Sequence, residues 1–210
     1  MNKLDKKLLD NLNVGQLLDL IDVYRKKNKV ITFHPNGFLQ LPLSNSDDKR
    51  TVRFQLHIWP EDISRRGKEI FQVHDHAFGI KSFVLVGSLI NTFYEIKSNP
   101  NGKFRLFQGD RTGNQTATNQ IISCEVIKSE TISAGHGYTI PKDAFHSSVK
   151  DSLFLATVIE KTDPDVNYRS KVIAPLDYVE DKIEVDRSID QTIAWNNVKK
   201  VEGKIRKMYL

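Results

Sequence analysis

The sequence predicts a mainly β protein, a barrel or sandwich preceded by α-helix, on three observations. Between Val30 and Lys161, short apolar runs follow one another with polar turns between them, the signature of many short strands. Before Val30 the apolar residues recur at helical spacing instead. The chain has 210 residues, 39% of them hydrophobic, so one core can form without disulfides or a structural metal.

Taken in order, residues 3 to 27 read as helix, with Leu4, Leu8, Leu9 and Leu12, then Leu17, Leu18, Leu20, Ile21 and Tyr24 on one stripe. Asn13 and Gly15 divide that helix into two pieces. The strand candidates are VITF, FLQL, VRFQLHIW, IFQVH, SFVLVGSLINTFYEI, FRLFQ, IISCEVI, GYTIP, HSSV and LFLATVIE. Turns are marked by His34 to Gly37, Ser44 to Asp48, Asn99 to Gly102 and Gly109 to Asn119. Asn99 to Gly102 reads as the tip of a hairpin joining the strands around Tyr94 and Phe104. After Lys161 the pattern loses regularity. The expected organisation is a helical segment over 1–29 packed on the body, a β-barrel over 30–162, and an extension over 163–210 that wraps the barrel or meets a partner.

Composition narrows the function classes. The net charge is +5, but the basic residues gather at the two ends with no basic stripe interleaved with aromatics, which argues against nucleic-acid binding. No run approaches the length of a membrane helix, and the opening MNKLDKKLLDNL is charged and amphipathic, unlike a secretory leader. The one cysteine, Cys124, lies in an alternating strand pattern and reads as an inert buried thiol. Together these lead to the expectation of a cytoplasmic protein.

The chemistry is in the histidines. His74 and His76 flank Asp75 at the end of a strand, where residues i and i+2 share a face, so two imidazoles can share one metal ion. The bland alternative is two neighbouring surface histidines. About seventy residues on, GHGYTIPKDAFHSS holds Gly135, Pro141, Asp143 and His146, and the Pro-Lys-Asp turn throws His146 onto a new strand. His57 lies in the alternating strand FQLHIW and either faces the same cavity or is a packed strand histidine. His136, between two glycines, reads as an exposed turn residue. Asp75 has a supporting hydrogen bond as its expected role. Parity alone does not place Tyr94 or Tyr138.

These residues resemble the two motifs of the cupin superfamily. The first appears as His74-Asp75-His76, Lys81 and Gly87; the second runs from Gly135 through Pro141 and Asp143 to His146. The resemblance covers about residues 50 to 160. It implies a cupin double-stranded β-helix barrel with a metal in its mouth, held by His74, His76 and His146. Two positions depart from the family: Lys81 stands where a ligating Glu is usual, and Asp143 replaces the inner Gly. Lys81 either points out of the barrel or meets an anionic ligand near the metal.

Three-histidine cupins with such a pair are similar to the cysteine dioxygenase group. The strand ending in Trp59 and the hairpin VLVGSLINTFYEI extend that similarity. The supporting Ser-x-His-x-Tyr run of that group has no counterpart near SLFLATV, and Gln40 stands where its carboxylate-holding Arg is usual, which makes free cysteine a doubtful substrate. The resemblance implies Fe(II) as the metal, with Zn, Ni or Mn as alternatives, and a small polar or anionic substrate reacting with dioxygen. Lys81 and Arg53 are the residues expected to hold substrate charge, with His57 as a catalytic candidate. An oxygen-independent metal cupin (an isomerase, hydrolase or lyase) and a non-enzymatic ligand-binding cupin remain as rivals. A homodimer is left open.

Overall fold

The computed structural model describes residues 13–43, 54–61, 72–110 and 113–210. Among these described residues it is mainly β, with two antiparallel sheets and two helices. The first piece of the expected N-terminal helix and Arg53 lie outside the described residues. The second piece is helix α1, Val14–Lys26. It begins at Asn13, whose side chain accepts from the Gln16 amide while the Gln16 side chain accepts from the Asn13 amide, a reciprocal cap.

The strands are β1 (Thr32–His34), β2 (Phe38–Pro42), β3 (Phe54–Trp59), β4 (Gly79–Val86), β5 (Ser88–Ser98), β6 (Phe104–Gly109), β7 (Gln115–Ser133), β8 (Gly137–Ile140), β9 (His146–Lys150), β10 (Leu155–Thr162), β11 (Lys171–Pro175) and β12 (Lys182–Ile183). One sheet runs β1-β2-β3-β10-β4-β8. The other runs β11-β6-β7-β5-β9, with β12 paired to β7. The chain passes from one sheet to the other at Gly87, which has φ +80° and where a Cβ would lie 2.2 Å from the Phe154 carbonyl oxygen. Only glycine fits that corner.

The first sheet is covered on both faces. Leu39, Leu41, Leu56, Ile58, Phe83, Leu85, Ala156 and Val158 form one face and belong to a core shared with α1 and with helix α2, Gln191–Tyr209. Residues of the opposite parity, including Gln40, Gln55, His57, Trp59, Ile80 and Ile159, line an internal cavity. Helix α2 presents Ala194, Val198, Val201 and Ile205, one helical stripe, to that shared core. Its start is tied down by Gln191, which exchanges two 2.9 Å hydrogen bonds with the Ile31 backbone. Its end is tied by Tyr209, whose hydroxyl donates to the Leu85 carbonyl at 3.0 Å. An Arg25–Glu202 ion pair joins the two helices, with Arg25 also over the Trp195 ring.

Two local expectations are corrected. The strands on either side of Asn99 to Gly102 do not pair, because β7 lies between β5 and β6. The turn itself forms, and it packs tightly: a Cβ on Gly102 would sit 2.1 Å from the Ile122 carbonyl oxygen of β7. The second correction is to the expected turn over Gly109 to Asn119, because β7 already starts at Gln115. Asp110 closes the shorter turn by accepting from the amides of Gly113 and Asn114 through Oδ1. The irregular C-terminal extension supplies β11 and β12 to the second sheet and α2 to the helical layer.

Candidate metal centre

His74 reaches the site on a short extended segment, not on a full strand. Its amide donates to the His146 carbonyl at 3.0 Å and the His146 amide donates back at 2.9 Å. On the other side, the Ile173 amide donates to Val73 and the Asp75 amide donates to Lys171. Residues 73–75 therefore link β9 and β11, the two edge strands of the second sheet. Asp75 fastens this segment from within. It is 1% exposed, and its carboxylate accepts from the Lys171 amide at 2.6 Å and from the Tyr168 hydroxyl, with the Lys171 ammonium 3.6 Å away. Burial pushes its carboxyl pKa upward, while those donors oppose the shift.

His146 arrives as the turn motif requires. Asp143 has φ +64°, the left-handed region where the resembled motif has glycine, and aspartate tolerates it better than most residues. Its amide donates to the His76 carbonyl at 3.2 Å, which ties the turn directly to the other histidine segment. The next strand then opens on His146, opposite Phe93 of β5.

The three imidazoles converge. Their candidate ligand atoms all lie within 4.8 Å of one another, and the ring centroids are 4.6 to 5.0 Å apart. His74 Nδ1 lies 3.0 Å from the Gln72 carbonyl and His146 Nδ1 lies 3.2 Å from the Ala144 carbonyl. A carbonyl can only accept, so in both rings Nδ1 carries the proton and Nε2 keeps its lone pair. That is the supporting arrangement metal-bound histidines use. His76 stacks on Phe78 at 5.0 Å.

Burial holds all three in the neutral, ligating form. The pKa of His76 falls well below its ordinary value, that of His146 falls to about 3, and that of His74 is lowered too, in each case chiefly by desolvation. Among the described residues this is the one group of three or more potential metal ligands this close together, and it contains no carboxylate. Three neutral imidazoles suit zinc, iron, copper or nickel.

The cavity over these histidines has a volume of about 380 Å³. Five of the six histidines line it: His34 and His57 as well as the three above. His57 is buried between Phe38 and Trp59, with Nε2 3.1 Å from Gln55 Oε1, and burial lowers its pKa to about 3. It therefore faces the cavity and is packed at the same time. His34 stacks on Phe38 at 4.3 Å, and its Nδ1 accepts from the Asn36 amide at 3.2 Å. Asn36 Nδ2 also lies 3.4 Å from His74 Nδ1, so this turn reaches both rings.

Lys81 is not brought to the site. It sits on β4 with the parity of Phe83 and Leu85, on the face away from the cavity, and its side chain is exposed. Among the described residues, the cations that do line the cavity are Lys161 on β10, with Arg187 and Arg169 from the C-terminal extension. Of the tyrosines, Tyr138 lines the cavity, whereas the Tyr94 hydroxyl pairs with Ser147 at 3.1 Å. His136 is exposed, and Cys124 is half-buried with its thiol pKa pushed up to about 11 by burial.

Sequence reasoning missed His34, Lys161 and Arg187. His34 was absorbed into a turn signal, although it shares strand parity with Thr32. Lys161 was legible, since it shares parity with Thr157 and Ile159 on one strand. Arg187 lies in irregular chain, where no period operates.

No model of a protein family matches the chain, and no curated protein matches it. Among solved structures, a hydroquinone 1,2-dioxygenase from a Sphingomonas species, with 4-hydroxybenzoate bound, aligns at 9% identity and a TM-score of 0.34 over 60% of this chain and 66% of that one. An oxalate oxidase aligns at 12% identity and a TM-score of 0.33, over 84% of this chain and 74% of that one. Drosophila melanogaster CENP-C, bound to CAL1, aligns at 10% identity and a TM-score of 0.35, over 70% of this chain and 97% of that one. Scores this low carry no inference about ancestry or activity. Among the described residues, no helix is long and apolar enough to cross a membrane.

Proposed function

We propose that this chain is a cupin-type metalloenzyme that holds one Fe(II) on His74, His76 and His146 and oxidises a small polar or anionic molecule with dioxygen. The observation that carries this reading is the convergence of three neutral imidazoles at a cavity, two of them with Nδ1 committed to backbone carbonyls. When bound, the metal supplies a Lewis-acidic centre with coordination positions left for substrate and dioxygen.

The chain's own residues do the rest. The Gln72 and Ala144 carbonyls set the ring orientations, and Asp75 fixes the backbone between His74 and His76. Phe38, Trp59, Phe78, Ile80 and Ile159 supply an apolar wall that limits water around the reacting groups. Transfer of both oxygen atoms to one substrate needs no external reductant, in keeping with the dioxygenase reading.

A second reading rests on the same donor set. Three imidazoles without a carboxylate also form a zinc site, which would make the protein an oxygen-independent Lewis-acid catalyst. Oxygen uptake separates the two. Protein reconstituted anaerobically with Fe(II) is mixed with aerated buffer and a panel of small thiols, phenols and carboxylic acids. Uptake that needs both Fe(II) and one substrate supports the first reading. No uptake with Fe(II), alongside turnover of a panel member by the zinc form, favours the second.

A further inference from the structure

Lys161 and Arg187 line the same cavity as the three histidines, although neither belongs to a motif. Lys161 stands on β10 with its ammonium 4.6 Å from the centroid of the Phe78 ring, which in turn stacks on His76. Arg187 comes from the chain between β12 and α2. Its carbonyl accepts from the Phe33 amide at 3.0 Å, which anchors it beside β1 and His34. The Gly113 turn makes room for its guanidinium: a Cβ there would lie 2.7 Å from the Arg187 Nη2 atom.

Arg187 is close enough to bear on Lys161. The pKa of Lys161 falls to about 8 through desolvation first and Arg187 second, and both cations add to the burial that lowers the pKa of His34. Among the described residues, three carboxylates also line the cavity. Asp75 is taken by Tyr168 and Lys171, Asp110 by the amides of Gly113 and Asn114, and Asp165 by the amides of Asn167 and Tyr168 with Lys142 nearby.

Among the described residues, two buried polar atoms in the lining have no partner: the Trp59 indole N–H and Gln115 Oε1. Native proteins rarely leave such groups without a water or ligand. A third donor is set by tautomer: because His34 Nδ1 accepts from Asn36, its Nε2 carries the proton. The described lining thus combines three cations (Lys161, Arg187 and Arg169), donors and an orphan acceptor with the aromatic wall of Phe38 and Trp59.

We infer that Lys161 and Arg187 form the anion-holding end of this cavity, and that the substrate class is a small carboxylate whose remaining polar atoms meet His34, Trp59 and Gln115. A guanidinium fork and an ammonium together match the two oxygens of a carboxylate. This rests on the proposed metalloenzyme reading for the word substrate, but the binding claim stands without the metal. It assigns charge recognition to a strand and a C-terminal loop outside both histidine motifs, and not to Lys81.

The test uses chelator-treated, metal-free protein and acetate as the probe, with acetamide and chloride at matched ionic strength as controls. Saturating acetate raises the melting temperature by about 3 °C, whereas acetamide and chloride do not. Lys161→Met and Arg187→Met abolish the increment, with circular dichroism confirming that both fold, and Lys81→Met keeps it. His74→Ala also keeps it while losing metal, so failure of the metal reading is distinguishable from failure of this one. An acetate effect that acetamide reproduces, or that survives in both cavity variants, overturns the inference. So does the absence of any acetate effect on the parent protein.

Discussion

At the scale of single residues, parity on a pleated strand decides which side chains meet the cavity. Gln55, His57 and Trp59 on β3 and Ile159 and Lys161 on β10 alternate into it, and Lys81 on β4 alternates away. Lys161 carries a cost for that position. Its pKa drops from 10.5 to about 8, so between those values the unfolded chain binds the extra proton and the folded chain does not. Stability therefore rises as pH climbs through that window, and below it the charged form costs about 3 kcal/mol. In metal-free protein, Lys161→Met is expected to raise unfolding stability at pH 7 by about 2–3 kcal/mol and to flatten the rise between pH 8 and 10. Urea denaturation of both proteins across that range checks it, and a variant less stable than the parent at pH 7 contradicts it.

At the scale of elements, the site depends on a short segment held between two strand edges. Asp75 is not one of the three clustered ligands; it holds the backbone between the paired histidines by accepting from Lys171 and Tyr168. Asp75→Ala is expected to lower metal affinity by about tenfold or more while leaving the three ligands in place. A competition titration against a coloured chelator measures it, and unchanged affinity would show that residues 73–75 hold their place without the carboxylate. Helix α2 has a different task, covering the outer face of the first sheet. Ile205 is fully buried in the shared core, so Ile205→Ala is expected to cost about 2–4 kcal/mol with metal stoichiometry unchanged. Equilibrium unfolding together with metal analysis of the variant separates the two effects.

At the scale of the whole molecule, what the sequence disclosed follows from which forces are local. The mainly β class, a helix beginning just after Asn13, the paired histidines and the turn that delivers His146 were legible because each rests on spacing within a few residues. The pairing of β5 with β7 across the Asn99 turn was not, since strand order is set by long-range packing that no short window contains. Helix α2 carries apolar residues at the right spacing, but lysines and arginines around them dilute the signal, and the tail read as irregular. The cavity's cations were passed over for a related reason: Lys161 stands one residue past the run LFLATVIE, and Arg187 belongs to no periodic element. What joins these levels is one claim, that two distant segments are folded together so that His74, His76 and His146 hold a single metal ion. Its most direct test is metal content by mass spectrometry in protein purified anaerobically from iron-supplemented cells, with His74→Ala and His146→Ala prepared in parallel. About one metal ion per chain in the parent, lost from both variants, is the expected result. Protein that takes up no divalent metal, or that keeps its metal in both variants, contradicts the account.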